Sequence, residues 1–363
     1  MPEVIPTIDD LLAVAVANKA SDLHLRPGSV PTVRIDGALH SFAGRALTDP
    51  EVEGYLRAIL PDRLEVEFKQ SHEADFSYGL GDGSRFRVNA YRQRGRVSLA
   101  IRVLQPPSGD FASLGLPPVL ARIAAEPRGL ILVTGPTGSG KSTTLAALVD
   151  HINANQRRNI ITVEDPIEVV HEDKASMVSQ REVGVDTGGF AEAMRRVLRQ
   201  DPDVIMIGEM RDAETIDAAL KAAETGHLVL SSLHTLDASE TINRILDFFA
   251  NEQQRQIRLL LSGTLRAIVS QRLLPTTDGI GRVPAVEVLI NTERVAERIS
   301  DPALTHEIPD LIAEGAFYGM ETFDQSILRL ASTGRVTFEE GFRHATKPAD
   351  LKLRAQQLGL LGT

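Results

Sequence analysis

The sequence predicts an α/β protein of two domains, a small α+β domain followed by a larger one built on a parallel sheet. Three observations carry this. The 363 residues exceed one ordinary hydrophobic core. From about residue 130, short apolar runs alternate with helix-spaced segments, the pattern of a parallel sheet covered on both faces. Between the first run and its helix lies a glycine-rich loop of defined spacing.

Taken in order, Thr7-Ile8-Asp9-Asp10 followed by Leu11, Leu12, Val14 and Ala15 reads as a capped first helix. The stretch 20–25, closed by Pro27-Gly28, reads as a strand, and 32–37 as its hairpin partner. Thr48-Asp49-Pro50-Glu51 opens a second helix with a cap followed by proline. Strands over 74–78, 84–91 and 97–103 complete a small α+β domain ending near residue 105. These last strands hold Arg85, Arg87, Arg92, Arg94, Arg96 and Arg102. Period two sets Arg85 and Arg87 on one face and Phe86 and Val88 on the other. Such a row is either a solvated strand face or a source of arginine fingers for phosphate, and the spacing leaves both open.

Residues 106–118 are rich in proline and glycine and read as a linker. Beyond it, strands are expected at 130–134, 160–163, 204–207 and 228–230, and helices at 141–153, 190–199 and 213–224. From about 240 the pattern turns helical, with one short strand at 283–290; 119–290 is taken as the core of the second domain and 291–363 as a helical region.

The glycine-rich loop, Gly135-Pro136-Thr137-Gly138-Ser139-Gly140-Lys141-Ser142-Thr143, is a complete P-loop between a strand and a helix. The glycines let backbone N–H groups converge on phosphate oxygens, and the helix adds its positive end. Lys141 can reach the β- and γ-phosphates, and the Ser142 hydroxyl is placed to ligand Mg²⁺. The sequence thus implies a nucleoside triphosphate as ligand. Further polar groups sit at strand ends. Glu164 and Asp165 follow Ile160–Val163, Glu209 follows Val204–Ile207, and His227 and His234 bracket Leu228–Leu233. An acid closing an apolar strand suits a group that holds Mg²⁺ or orients the attacking water. Each has a plainer alternative, a helix cap or a hydrogen-bonded histidine; their order after a P-loop favours the active-site reading.

Bulk properties narrow the class. Net charge is −10, which argues against a nucleic-acid-coating surface. The absence of cysteine excludes disulfides and cysteine zinc sites, and suits a reducing compartment. The amino terminus lacks the signature of a signal peptide. No run approaches about 18 apolar residues, so work at a membrane is expected to go through partners.

These motifs resemble the secretion ATPases of type II secretion systems and type IV pili. The resemblance rests on Ser-Asp-Leu-His-Leu at 21–25, the P-loop, Glu-Asp-Pro-Ile-Glu at 164–168 and Arg-Gln-Asp-Pro-Asp at 199–203. It continues with Gly-Glu-Met-Arg-Asp at 208–212, Ala-Glu-Thr-Gly-His at 223–227, Leu-His-Thr at 233–235 and Gly-Met-Glu-Thr-Phe-Asp-Gln at 319–325. It implies a PAS-like amino-terminal domain, a RecA-like ATPase domain with a carboxyl-terminal helical subdomain, and a homo-hexameric ring using ATP and Mg²⁺. It also implies roles: Glu209 as catalytic glutamate and, with Ser142, metal ligand; Glu164 as a second acid; His227 and His234 as a histidine box; and Arg85, Arg92 and Arg102 as arginine fingers. The lack of cysteine and Met210 point within the family to pilus retraction. Pilus assembly, type II secretion and an accessory retraction role are the alternatives. The segment 294–300 departs from the Ala-Ile-Arg-Asn-Leu-Ile motif of retraction ATPases. The implied location is the cytoplasmic face of the inner membrane, on a pilus platform protein, with no direct nucleic-acid contact.

Overall fold

The structure is a computed structural model describing residues 6–35, 37–104 and 109–361. The chain divides into two compact units, Met1–Pro106 with Pro166–Val170, and Pro107–Asp165 with His171–Thr363. Residues 106–108 of the expected linker lie outside the described residues. The rest of that stretch belongs to the second unit, with Phe111 and Leu116 buried in its core beside Leu120 and Leu148.

The first unit contains strands β1 (Asp22–Leu25), β2 (Thr32–Ile35), β3 (Ala38–Ser41), β4 (Glu73–Gly79), β5 (Arg85–Gln93) and β6 (Arg96–Leu104). They form one antiparallel sheet in the order β3-β2-β1-β6-β5-β4. Helices α1 (Ile8–Ala17), α2 (Asp49–Ile59) and α3 (Glu65–Ser71) accompany it. Thr7 and Asp10 form a reciprocal capping box that starts α1. The alternation read from the sequence is the packing: Phe86, Val88 and Ala90 lie opposite Val103, Ile101 and Leu99, all buried. The intervening arginines point away from that core.

The second unit contains α4 (Val119–Ala124), β7 (Gly129–Thr134), α5 (Lys141–Asn155), β8 (Asn159–Glu164), β9 (Met177–Glu182), α6 (Phe190–Val197), β10 (Val204–Ile207), α7 (Ala213–Glu224) and β11 (Leu228–Leu233). There follow α8 (Ala238–Asp247), α9 (Asn251–Thr264), β12 (Leu265–Pro275), β13 (Arg282–Ile290), α10 (Glu293–Ser300), α11 (Ile308–Glu314), α12 (Phe323–Ser332), α13 (Phe338–His344) and α14 (Pro348–Gln357). The sheet order is β13-β12-β7-β11-β10-β8-β9, parallel except for β13. Two cores sandwich it. Leu130 and Leu132 of β7 join one, with Val163, Ile207 and Val229; Ile131 and Val133 join the other, with Leu145, Met206 and Leu230. Strands buried on both faces must be apolar throughout, which is why these runs show no alternation.

Three strands were not expected, the exposed β3 of the first unit and two of the second. β12 corrects the expectation of helix beyond residue 240, because it follows α9 with no intervening residue. Its Ser270 and Gln271 are polar yet buried, since Ser270 Oγ accepts from Thr134 Oγ1 at 2.8 Å and Gln271 Nε2 donates to Thr144 Oγ1 at 2.9 Å. β9 is a polar edge strand whose sequence, Met-Val-Ser-Gln-Arg-Glu, lacks an apolar signal.

Leu132 is fully buried at the middle of β7. Leu132→Ala is expected to destabilise the second unit by about 2–5 kcal/mol, measured as a lowered urea midpoint.

Candidate nucleotide-binding site

The parallel register decides which side chains meet. Ile207 pairs with Val163 on one side and Ser231 on the other, and Ser231 with Leu132. Glu164, the residue after Gly208, the residue after Leu233 and the P-loop therefore all emerge at the carboxyl edge of the sheet, where α/β proteins bind ligands.

At that edge β7 turns into the loop through Gly135 (φ 143°), Gly138 (φ 79°) and Gly140 (φ 90°), conformations that side-chain-bearing residues avoid. A Cβ on Gly135 would come within 2.5 Å of both Gln271 O and Ser139 Oγ. Gly140 caps α5, whose first turn holds no acidic residue, so the positive end of the helix is not neutralised from within. Ser142 and Thr143 are exposed at that end, while Pro136 and Thr137 form the exposed crest of the loop. The Ser139 hydroxyl is buried with no hydrogen-bond partner among the described residues.

Lys141 is 9% exposed, and its Nζ donates to Gly135 O at 2.9 Å and Pro136 O at 3.0 Å. It also lies 3.4 Å from His234 Nδ1. An ammonium has no acceptor, so His234 Nδ1 must be the acceptor. The imidazole proton then sits on Nε2, which donates to Glu209 Oε2 at 3.1 Å. The other Glu209 oxygen pairs with Arg211. Lysine, histidine, glutamate and arginine thus form one connected row across three strand ends. Glu164 is buried beside it, its Oε1 accepting from Thr162 Oγ1 at 2.6 Å and Gln180 Nε2 at 3.0 Å. Gln180, on the unexpected strand β9, is a supporting residue that the sequence did not reveal.

His227 is the exception among the expected residues. It precedes β11 at the amino edge of the sheet, where its carbonyl accepts from Gly129 N, and its Nδ1 lies 2.9 Å from Ala222 O. The length of β11 separates it from His234, about 20 Å at the usual strand rise. Within one chain His227 closes α7 and does not face the P-loop.

The three arginines of the first unit have different surroundings. Arg85 is half-buried opposite Leu104. Arg92 donates to Gly95 O at 2.9 Å and stacks over Phe68. Arg102 is exposed, bonded to Asp22 Oδ1 at 3.2 Å, and directly opposite Arg87 across β5 and β6. Asp22 offsets part of the like charge of that pair, a pairing that period two alone did not single out.

The donors fit Mg²⁺ held mostly by substrate. Magnesium prefers one or two protein oxygens plus phosphates, not a caged site. Ser142 and Glu209 would supply such oxygens, Glu209 by exchanging one of its present partners, and no metal-holding cluster of three acidic, histidine or cysteine residues occurs among the described residues.

Comparison with known proteins gives the family. The family described as "Type II/IV secretion system protein" matches residues 2–303. The chain is 42% identical to the "Type IV pilus retractation ATPase PilT" of Pseudomonas aeruginosa over 341 residues, 94% of this chain and 98% of that protein. It is 38% identical to the "Type IV pilus ATPase PilU" of the same organism, over 95% of this chain and 90% of that one. A crystal structure of the pilus retraction motor PilT with bound ADP superposes with a TM-score of 0.87 at 41% identity, covering 96% of this chain and all of that one.

Gly135→Ala is expected to weaken nucleotide binding at least about tenfold, because the substituent meets a backbone carbonyl and forbidden φ. Titration with a fluorescent ATP analogue measures this; unchanged affinity would show that the loop does not need that turn.

Proposed function

We propose a function for this chain within the family to which it belongs, the type II/IV secretion system proteins: a motor ATPase that hydrolyses ATP to power type IV pilus retraction, and so twitching motility. The observation that carries the ATPase reading is the row Lys141–His234–Glu209 beside a complete P-loop. Likeness to PilT along nearly the whole of both chains supports retraction as the output. The PilU match supports an accessory retraction ATPase as the second reading.

In this reading the loop from Gly135 to Thr143 cradles the phosphates of ATP with its backbone N–H groups. Lys141 exchanges the Gly135 and Pro136 carbonyls for phosphate oxygens, so its charge moves little and its desolvation is already met. Glu209 accepts a proton from the attacking water. His234, donating from Nε2, and Arg211 hold that carboxylate in place. Glu164 adds a second fixed negative group beside it. Mg²⁺, held by Ser142 and Glu209, would neutralise phosphate charge. In a homo-hexameric ring, Arg85, Arg92 or Arg102 of a neighbouring copy would stabilise the charge that develops during transfer. No helix among the described residues is long and apolar enough to cross a membrane. Likeness to PilT supports placing the ring on the cytoplasmic face of the inner membrane, through a pilus platform protein.

Glu209→Gln is expected to lower kcat by about 100-fold or more while ATP still binds. Hydrolysis near the unsubstituted rate would remove Glu209 as the base. Lys141→Ala is expected to weaken ATP binding, and unchanged affinity in the same titration would contradict the phosphate role.

A further inference from the structure

A second buried carboxylate lies at the far end of the row that carries the P-loop strand. Glu287 of β13 pairs with Ser270 of β12, and Ser270 pairs with Thr134, the last residue of β7. Glu287 is 9% exposed, and its Oε1 accepts the backbone N–H of Ala238 at 2.9 Å. Ala238 is the first residue of α8, four residues after His234. The intervening loop has local fastenings: Leu236 N donates to Glu240 Oε2 at 2.8 Å, and the Thr235 and Thr241 hydroxyls meet at 2.7 Å. These tie the loop to α8 itself. The Glu287 bond ties α8 to the sheet, bridging 49 residues.

We propose that Glu287 is a positioning residue for the His234 loop: its carboxylate holds the start of α8, and through it keeps His234 between Lys141 and Glu209. The inference deepens the ATPase reading above and rests on it. A carboxyl at a helix amino end can accept an orphan N–H through its carbonyl oxygen in either protonation state, but only the ionised form bonds as a charged acceptor and gains the attraction of the helix dipole. The charged groups that face it are Asp237 at the start of α8, Arg272 on β12 and Asp324 on α12. Arg272 is itself held by His344 O and by stacking over Phe323, which limits how far it can move toward Glu287. Burial outweighs the Ala238 bond and Arg272, and pushes the Glu287 carboxyl up to about 7. Between pH 6 and 8 its ionised fraction therefore rises about tenfold, and the anchor strengthens over the same range.

The test uses the full chain with Mg-ATP, measuring kcat, KM and thermal midpoints from pH 6 to 8 for the unsubstituted protein, Glu287→Gln and Glu287→Ala. An amide oxygen accepts the Ala238 N–H with the same neutral strength at every pH, so Glu287→Gln removes the change of charge and keeps the bond. The rise of kcat from pH 6 to 8, up to about tenfold, is therefore expected to shrink by at least about threefold in Glu287→Gln. Glu287→Ala, with no acceptor, is expected to lose about tenfold in kcat at pH 8 with KM within about twofold, the split expected when a group acts in the transition state. Glu287 holds its proton more tightly when folded than its ordinary 4.5. Its contribution to stability is thus full at low pH and lost as pH rises through about 7. The midpoint of the unsubstituted protein should accordingly fall relative to that of Glu287→Gln between pH 6 and 8. Identical pH profiles and parallel midpoints in the unsubstituted protein and Glu287→Gln would overturn the proposal. Absence of hydrolysis by the unsubstituted protein at every pH would instead overturn the ATPase reading, while the midpoints, which need no turnover, would still report the Glu287 titration.

Discussion

The register of the parallel strands constrains everything else in the second unit. Pairing Ile207 with Val163 and Ser231, and Ser231 with Leu132, leaves no freedom over which residues reach the carboxyl edge together. A slip of one residue would turn Leu130 and Leu132 into the opposite core and send Glu164 to the wrong face. Because both faces are buried, such a slip would misplace apolar side chains on two cores at once. The site therefore inherits its precision from hydrophobic packing several residues below it. The charged groups of the site do not have to find one another.

Charged groups placed at such an edge are partly out of water, so each needs a standing partner. Lys141 has two carbonyls and an imidazole, Glu164 a hydroxyl and an amide, and Glu209 a histidine and an arginine. Glu287 has one backbone N–H and the field of Arg272, set against Asp237 and Asp324. The first three sets neutralise charge well. The last does so weakly, and Glu287 is the carboxyl of this group that burial pushes toward neutrality.

Much of this was legible beforehand. Strands β7, β8, β10 and β11 announced themselves as apolar runs, because burial on both faces demands it. The P-loop was legible since only glycine tolerates its backbone angles. What escaped had no local signal. β12 grows out of α9 without a turn, and its polar Ser270 and Gln271 look surface-like until their partners on β7 and α5 are known. Gln180 sits on a strand whose sequence is that of an exposed edge. Adjacency in sequence also misled: His227 and His234 flank one strand, but a strand is a spacer, and its two ends face opposite edges of the sheet.

The sequence by itself determined the fold class, the phosphate-binding loop, the acids at the strand ends and the family. These depend on local spacing, backbone permissiveness and apolar content, which a linear chain displays. Only the tertiary structure decided that His234 shares a row with Lys141 and Glu209, that His227 does not, and that Glu287 reaches the start of α8. Those facts depend on register between strands distant in sequence, and it is the packing of two cores, not any motif, that sets the register.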